Sequence, residues 1–253
     1  MGARHHGAVH PDATVFLPGF MQSAASWEPV TRQLGPRPSM GLDPVGTTLE
    51  ELVANVSDRA PAGSVIVGYS MGGRVALHAA LGEPERYSAL VLVGVSAGIE
   101  NPADRAARRR ADEALAAWME SRAIEEVVAR WEGQPVFATQ PPELVAAQRV
   151  ARLGHDPLTL AALLRGAGQG ASPPVWDRLP ELGIPVLALA GELDETYAAA
   201  AKRMAALLPQ GRARLVGNAG HAAHLEAPAA LADLLGEFLD EHFPQGPGAH
   251  VHP

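Results

Sequence analysis

The pentapeptide Gly68-Tyr69-Ser70-Met71-Gly72 carries the first chemical signal in the sequence. It follows an apolar, β-rich run at 65–69 and opens a helical pattern at 71–81. A serine on such a sharp strand-to-helix turn holds its hydroxyl clear of the backbone, at a helix N-terminus whose dipole favours developing negative charge. It then needs a base, and an acid to orient the base, in the chain order serine, acid, histidine. His221 lies in the loop between a strand-like run and the helix that Pro228 starts, so it is the candidate base, with His224 as its rival. The pair His221-x-x-His224 also invites a metal reading. No HExxH pattern and no clear further ligands accompany it, so no metal is expected. For the acid, Gly191-Glu192-Leu193-Asp194-Glu195 offers three carboxylates after another strand-like run. Asp194 is best placed to reach the imidazole, Glu192 is second, and Glu195 is expected on the solvent face of the next helix. The backbone N–H groups of Met71 and of Phe20, in the loop 17–21, are the candidate oxyanion donors.

These residues must be positioned by a scaffold. Runs at 13–18, 65–69, 89–94, 184–190 and 213–217 are near-continuously apolar, as strands covered on both faces are. A weaker strand candidate lies near 39–43. Helical patterns at 24–34, 48–60, 71–81, 198–208 and 228–243 alternate with them. Such alternation predicts an α/β fold with a mainly parallel, doubly wound sheet, which binds ligands at the carboxyl ends of its strands. From 101 to 165 no strand pattern appears. Four helix-like stretches (102–121, 123–132, 142–153, 157–165), punctuated by Gly and Pro, read instead as a helical insertion over the ligand site. The expected organisation is a core of 1–98 and 171–243, a helical lid of 99–170, and a flexible Pro/Gly/His-rich tail of 244–253.

Composition narrows the partners. The 253 residues carry 28 Asp+Glu against 20 Lys+Arg, a net charge of −8, and no cysteine. Nucleic acid and anionic membrane surfaces are poor partners for such a chain. Thiolate catalysis, disulfides and Cys-ligated zinc are excluded. Arg4, His5, His6, His10 and Asp12 interrupt any apolar leader, and position 6 is His6 where a myristoylation start needs Ser or Thr. The expected location is the cytoplasm.

The stretches at 17–30 (LPGFMQSAASWEPV), 67–77 (VGYSMGGRVAL), 100–113 (ENPADRAARRRADE), 130–138 (RWEGQPVFA), 191–197 (GELDETY) and 219–228 (AGHAAHLEAP) span most of the chain. They resemble the α/β-hydrolases, and among them the 2-succinyl-6-hydroxy-2,4-cyclohexadiene-1-carboxylate synthases of menaquinone biosynthesis. The serine, acid and histidine motifs are shared with many esterases. The arginine after the elbow glycines and the 100–113 and 130–138 segments are more specific. The resemblance implies a cofactor-free carbon–oxygen lyase. Its serine takes a proton beside a succinyl ketone and pyruvate leaves. A carboxylesterase or C–C hydrolase working through an acyl-enzyme is the alternative.

A substrate bearing several carboxylates requires cations. Arg74 stands one helical turn past Ser70 and can share its side of the helix. Arg108 shares a helix face with Ala111, Leu115 and Trp118, whereas Arg109 and Arg110 point away and can pair with Asp112 or Glu113. An arginine on an apolar face needs an anion. Arg152 lies on the Leu144, Val145, Gln148 face and matches the family's lid arginine, with Arg149 as the alternative. By the same resemblance Tyr69 and Trp131 match pocket residues. Three departures stand out. Pro18 replaces the usual His, Thr196-Tyr197 replaces the usual Lys-Phe, and the segment between the first two strands is short.

Overall fold

The computed structural model describes residues 13–244. The expectations placed on the first dozen residues, and on the tail beyond Pro244, lie outside the described residues. Six strands form one all-parallel sheet in the order β2-β1-β3-β4-β5-β6. They are β1 (Thr14–Leu17), β2 (Ser39–Gly41), β3 (Val65–Tyr69), β4 (Ala89–Val93), β5 (Val186–Gly191) and β6 (Gly211–Val216). The helices are α1 (Glu28–Thr31), α2 (Leu49–Arg59), α3 (Met71–Gly82), α4 (Pro102–Met119), α5 (Ile124–Glu132), α6 (Pro142–Leu153), α7 (Pro157–Ala167), α8 (Glu195–Leu207), α9 (Ala223–Glu226) and α10 (Pro228–His242).

The pleat divides the sheet's side chains between two apolar layers, since successive residues point to opposite faces. Ile66, Leu90, Leu92, Val186 and Ala188 pack with α2, α3 and α8. Val65, Val67, Val91, Val93, Leu187 and Leu189 pack with Trp27, Val30 and the α10 residues Leu231, Leu235 and Phe238. The near-continuous apolar runs follow from this double cover. β6 departs from that expectation. It is an edge strand whose residues are mostly exposed or half-exposed, and Arg212 and Arg214 stand within it. Charge on an edge discourages pairing with another chain.

Two helix boundaries also moved. The pattern at 24–34 divides into a 3-10 turn (Ala24–Trp27) and the short α1, because Pro29 has no N–H to continue an α-helical ladder. The helix expected from 198 begins at Glu195, because the Asp194 side chain accepts the Tyr197 N–H and caps it. α2 starts on a capping box between Thr48 and Glu51, and α4 on Asn101 followed by Pro102.

Between β4 and β5 the chain forms α4 to α7, in register with the four helical stretches expected there. Ala116, Met119, Val127, Val128, Leu160 and Leu164 of this layer belong to the same apolar cluster as α2, α3 and α8. The helical layer is thus packed onto the sheet domain and shares its core. Among the described residues no helix is long and apolar enough to cross a membrane.

Candidate active site

Ser70 follows β3, Asp194 follows β5 and His221 follows β6, so all three leave the carboxyl ends of parallel strands. Ser70 has φ 50° and ψ −109°, a conformation that costs a non-glycine residue free energy and is held by its surroundings. The close approach of helix and strand explains the glycines. A Cβ at Gly68 would lie 2.5 Å from the Gly73 Cα, and one at Gly72 would lie 2.3 Å from the Pro18 carbonyl oxygen. His221 Nε2 is 3.2 Å from Ser70 Oγ, and His221 Nδ1 is 2.8 Å from Asp194 Oδ2. Asp194 uses both oxygens, since Oδ1 accepts the Tyr197 N–H at 3.2 Å. The acid that orients the imidazole is therefore itself fixed by the helix it caps. Glu192 is engaged elsewhere, accepting the Asn218 N–H.

His224, the rival base, is excluded by position. It is fully buried, its ring lies 4.2 Å from that of Tyr69 and 4.7 Å from that of Trp27, and neither nitrogen has a partner. Burial first, and the neighbouring His221 second, push its pKa down to about 3, so the ring is neutral.

A cavity of about 410 Å³ opens at Ser70. Phe20, Tyr69, Met71, Arg74, Arg108, Trp131, Arg152 and His221 all line it, so every residue expected at the site, Asp194 apart, reaches it. Asp194 stands behind the imidazole. Phe20 and Trp131 meet edge to face at 5.0 Å, and Phe137 continues that aromatic wall 5.6 Å from Trp131. Burial raises the Tyr69 hydroxyl well above the usual phenol range.

The three arginines are held differently. Arg74 is 7% exposed; its Nη2 donates to the Ala167 carbonyl at 2.9 Å, and its Nε is buried without a partner. Arg152 is 2% exposed, donates to Glu132 Oε1 at 3.2 Å and Gln148 Oε1 at 2.6 Å, and leaves its Nε buried and unpartnered. Burial lowers both guanidinium pKa values from their ordinary range, though an arginine remains charged at neutral pH. Arg108 Nε donates to Asp112 Oδ1 at 2.8 Å and its Nη1 to Gln169 Oε1 at 2.5 Å. That corrects the pairing expected from helical geometry. Asp112 takes Arg108 rather than Arg109 or Arg110, and Glu113 takes Arg165 across the α4–α7 interface. The i,i+4 spacing of Arg108 and Asp112 brings them onto one face. Trp118 does not line the cavity; it lies under Arg130, 4.3 Å from the guanidinium to the ring centroid. Arg149 is exposed and pairs with the outer oxygen of Glu132.

Sequence reading missed Glu226. Its Oε2 accepts the Gly220 N–H at 2.8 Å and the Thr139 hydroxyl at 2.7 Å, and its Oε1 accepts the Ala222 N–H at 3.0 Å. One carboxylate thus grips the backbone on both sides of His221 and ties it to the loop before α6. The only available signal was a carboxylate five positions after the candidate base.

A strand-turn-helix serine with an acid and a histidine at parallel strand ends defines a class, and the sequence agrees. The chain belongs to the alpha/beta hydrolase family, whose profile matches residues 14–234. Within it, the chain is 32% identical over 238 residues to 2-succinyl-6-hydroxy-2,4-cyclohexadiene-1-carboxylate synthase of Salmonella newport (strain SL254), covering 89% of this chain and 92% of that one. A Bacillus subtilis (strain 168) protein given the same name provisionally is 32% identical over 247 residues, covering 90% of each chain. Among solved structures, MenH from S. aureus superposes with a TM-score of 0.85 at 29% identity, covering 94% of this chain and 96% of that one. An esterase from Thermogutta terrifontis shares the fold at 23% identity and a TM-score of 0.70.

Proposed function

We propose that the protein is a carbon–oxygen lyase that forms 2-succinyl-6-hydroxy-2,4-cyclohexadiene-1-carboxylate by eliminating pyruvate from 2-succinyl-5-enolpyruvyl-6-hydroxy-3-cyclohexene-1-carboxylate. The observation that carries this reading is the meeting of Ser70 with three arginines in one cavity. A cavity on which three guanidinium groups converge suits an anionic guest. The substrate is a tricarboxylate. Arginine's planar fork suits carboxylates at Arg74, Arg108 and Arg152, while Trp131 and Phe20 pack against the ring.

His221 takes the Ser70 proton, and Asp194 stabilises the imidazolium that results. Ser70 then removes the ring proton beside the succinyl ketone. That bonding pair forms a new ring double bond, the existing double bond shifts by one position, and the carbon–oxygen bond to the enolpyruvyl group breaks. Enolpyruvate leaves and becomes pyruvate on taking up a proton at carbon. The backbone N–H groups of Phe20 and Met71 serve the ketone oxygen as negative charge develops on it. The four helices α4 to α7 act as the lid that closes this chemistry from water.

Pyruvate release from the purified protein, read by a lactate dehydrogenase couple, tests this reading; an inert wild-type protein overturns it. The competing reading is an esterase or C–C hydrolase that uses Ser70 as a nucleophile, and the strained elbow suits it equally. It calls for burst release of p-nitrophenol from activated esters, with stoichiometric labelling of Ser70 by a fluorophosphonate and no pyruvate.

A further inference from the structure

Tyr197 and Gln169 connect two parts of the site that sequence motifs treat separately. Tyr197 stands on the first turn of α8, three residues past Asp194. Its ring lies 4.5 Å from that of His221, and its hydroxyl is 2.5 Å from Gln169 Nε2. The other end of the Gln169 amide, Oε1, accepts Arg108 Nη1 at 2.5 Å. Gln169 is itself held in place, because Asp112 Oδ2 accepts the N–H of the next residue, Gly170, at 3.1 Å while Asp112 Oδ1 accepts Arg108 Nε. Arg108, Gln169, Tyr197 and His221 all line the same cavity.

We propose that Gln169 and Tyr197 are positioning residues that hold Arg108 ready for a substrate carboxylate and tie it to the face of the His221 imidazole. Two of the three guanidinium nitrogens of Arg108 are occupied by this network, and among the described residues no protein acceptor takes the third, Nη2. The guanidinium plane is thereby fixed with one nitrogen free. Arg108 is the most exposed of the three cavity arginines, with its side chain 42% exposed, so it has the most rotamer freedom to lose without such a strap. The phenol at position 197 matters because a phenylalanine would keep the ring over His221 and drop the bond to Gln169. This inference rests on the proposed reading of Arg108 as a carboxylate-binding residue.

A double-mutant cycle on pyruvate release separates the outcomes. Tyr197→Phe and Gln169→Ala are each expected to raise KM for the enolpyruvyl substrate about 3- to 10-fold, the range of one ordinary hydrogen bond, with kcat changed less than about twofold. The double variant is expected to be no worse than Gln169→Ala, because both changes cut one chain. In an Arg108→Ala background Tyr197→Phe is expected to raise KM no further. Tyr197→Leu, which also removes the ring over the imidazole, is expected to lower kcat as well. Thermal melts of each variant confirm folding, and Gln169→Glu, which gives Arg108 a fixed anion in competition with substrate, repeats the KM test by a second route. Additive effects, or a Tyr197→Phe effect that survives in Arg108→Ala, overturn the inference while leaving the proposed function intact. A wild-type protein that releases no pyruvate overturns both.

Discussion

Ser70, Asp194 and His221 follow the carboxyl ends of three parallel strands, whereas Arg108 and Arg152 stand on helices of the layer between β4 and β5. The strand-end residues are fixed mainly by backbone: a strained turn at Ser70, a helix cap at Asp194, and the Glu226 grip on the peptides flanking His221. The helical arginines are fixed by side chains, each tied to an acid and an amide, Arg108 to Asp112 and Gln169, Arg152 to Glu132 and Gln148. Arg74 belongs to both, since it lies on α3 of the sheet domain and donates to the Ala167 carbonyl at the end of α7. The difference teaches how rate and affinity divide. In the proposed reading, groups that move protons need fixed placement and sit on the sheet. Groups that gather charge need reach and partners, and sit on helices.

That division can be broken by mutation. The largest effect is expected from Ser70→Ala, which removes the group proposed to abstract the proton and is expected to lower kcat by about 10²- to 10⁴-fold with KM little changed. A loss carried mainly by KM would put Ser70 on the binding side. Glu226→Gln comes next. An amide cannot accept all three donors, so the His221 loop loosens, and kcat is expected to fall about tenfold; an unchanged kcat would show that the loop holds itself. Arg152→Gln is expected to raise KM about tenfold. It also leaves the Glu132 side chain, 4% exposed, with only the exposed Arg149 as its ionic partner, so stability in a denaturant melt is expected to fall. The smallest effect concerns stability alone. The folded protein holds His224 neutral with a pKa of about 3, against an ordinary 6.5, so the unfolded chain binds the proton more tightly. Stability from this residue is complete above about pH 6.5 and declines as the pH falls toward 3. At pH 5 the loss is about 2 kcal/mol, and His224→Leu is expected to show a smaller drop in Tm between pH 7 and pH 5 than wild type. Equal drops would show that His224 does not carry the acid sensitivity; His78, whose pKa burial lowers to about 4, is the next histidine to test.

The strands and most helices were legible because each carries a local signature. Parallel strands covered on both faces read as apolar runs, and α2 and α4 announce their starts with Thr48 and Asn101. β6 was misread in character, because whether a strand is central or at an edge depends on what lies beside it and not on its own residues. The three residues that the structure joins by hydrogen bonds, Ser70, His221 and Asp194, were legible in the same way, since each follows a recognisable strand. Arg108 shares a face with Ala111 and Leu115 as its helical spacing predicts, yet Asp112, expected to pair with Arg109 or Arg110, is taken by Arg108. A helical wheel shows which residues share a face, but α7 and its following loop decide which acids are already taken.

What the sequence determined by itself is the order of elements and the chemical types at their ends. Periodicity and capping act over a few residues and leave their mark in neighbours along the chain. What only the tertiary structure decided is which distant groups meet. Glu226 reaching Thr139, Gln169 joining Arg108 to Tyr197, and His224 closing between Trp27 and Tyr69 span long stretches of chain. Such contacts depend on the crossing of whole elements, which no local pattern encodes.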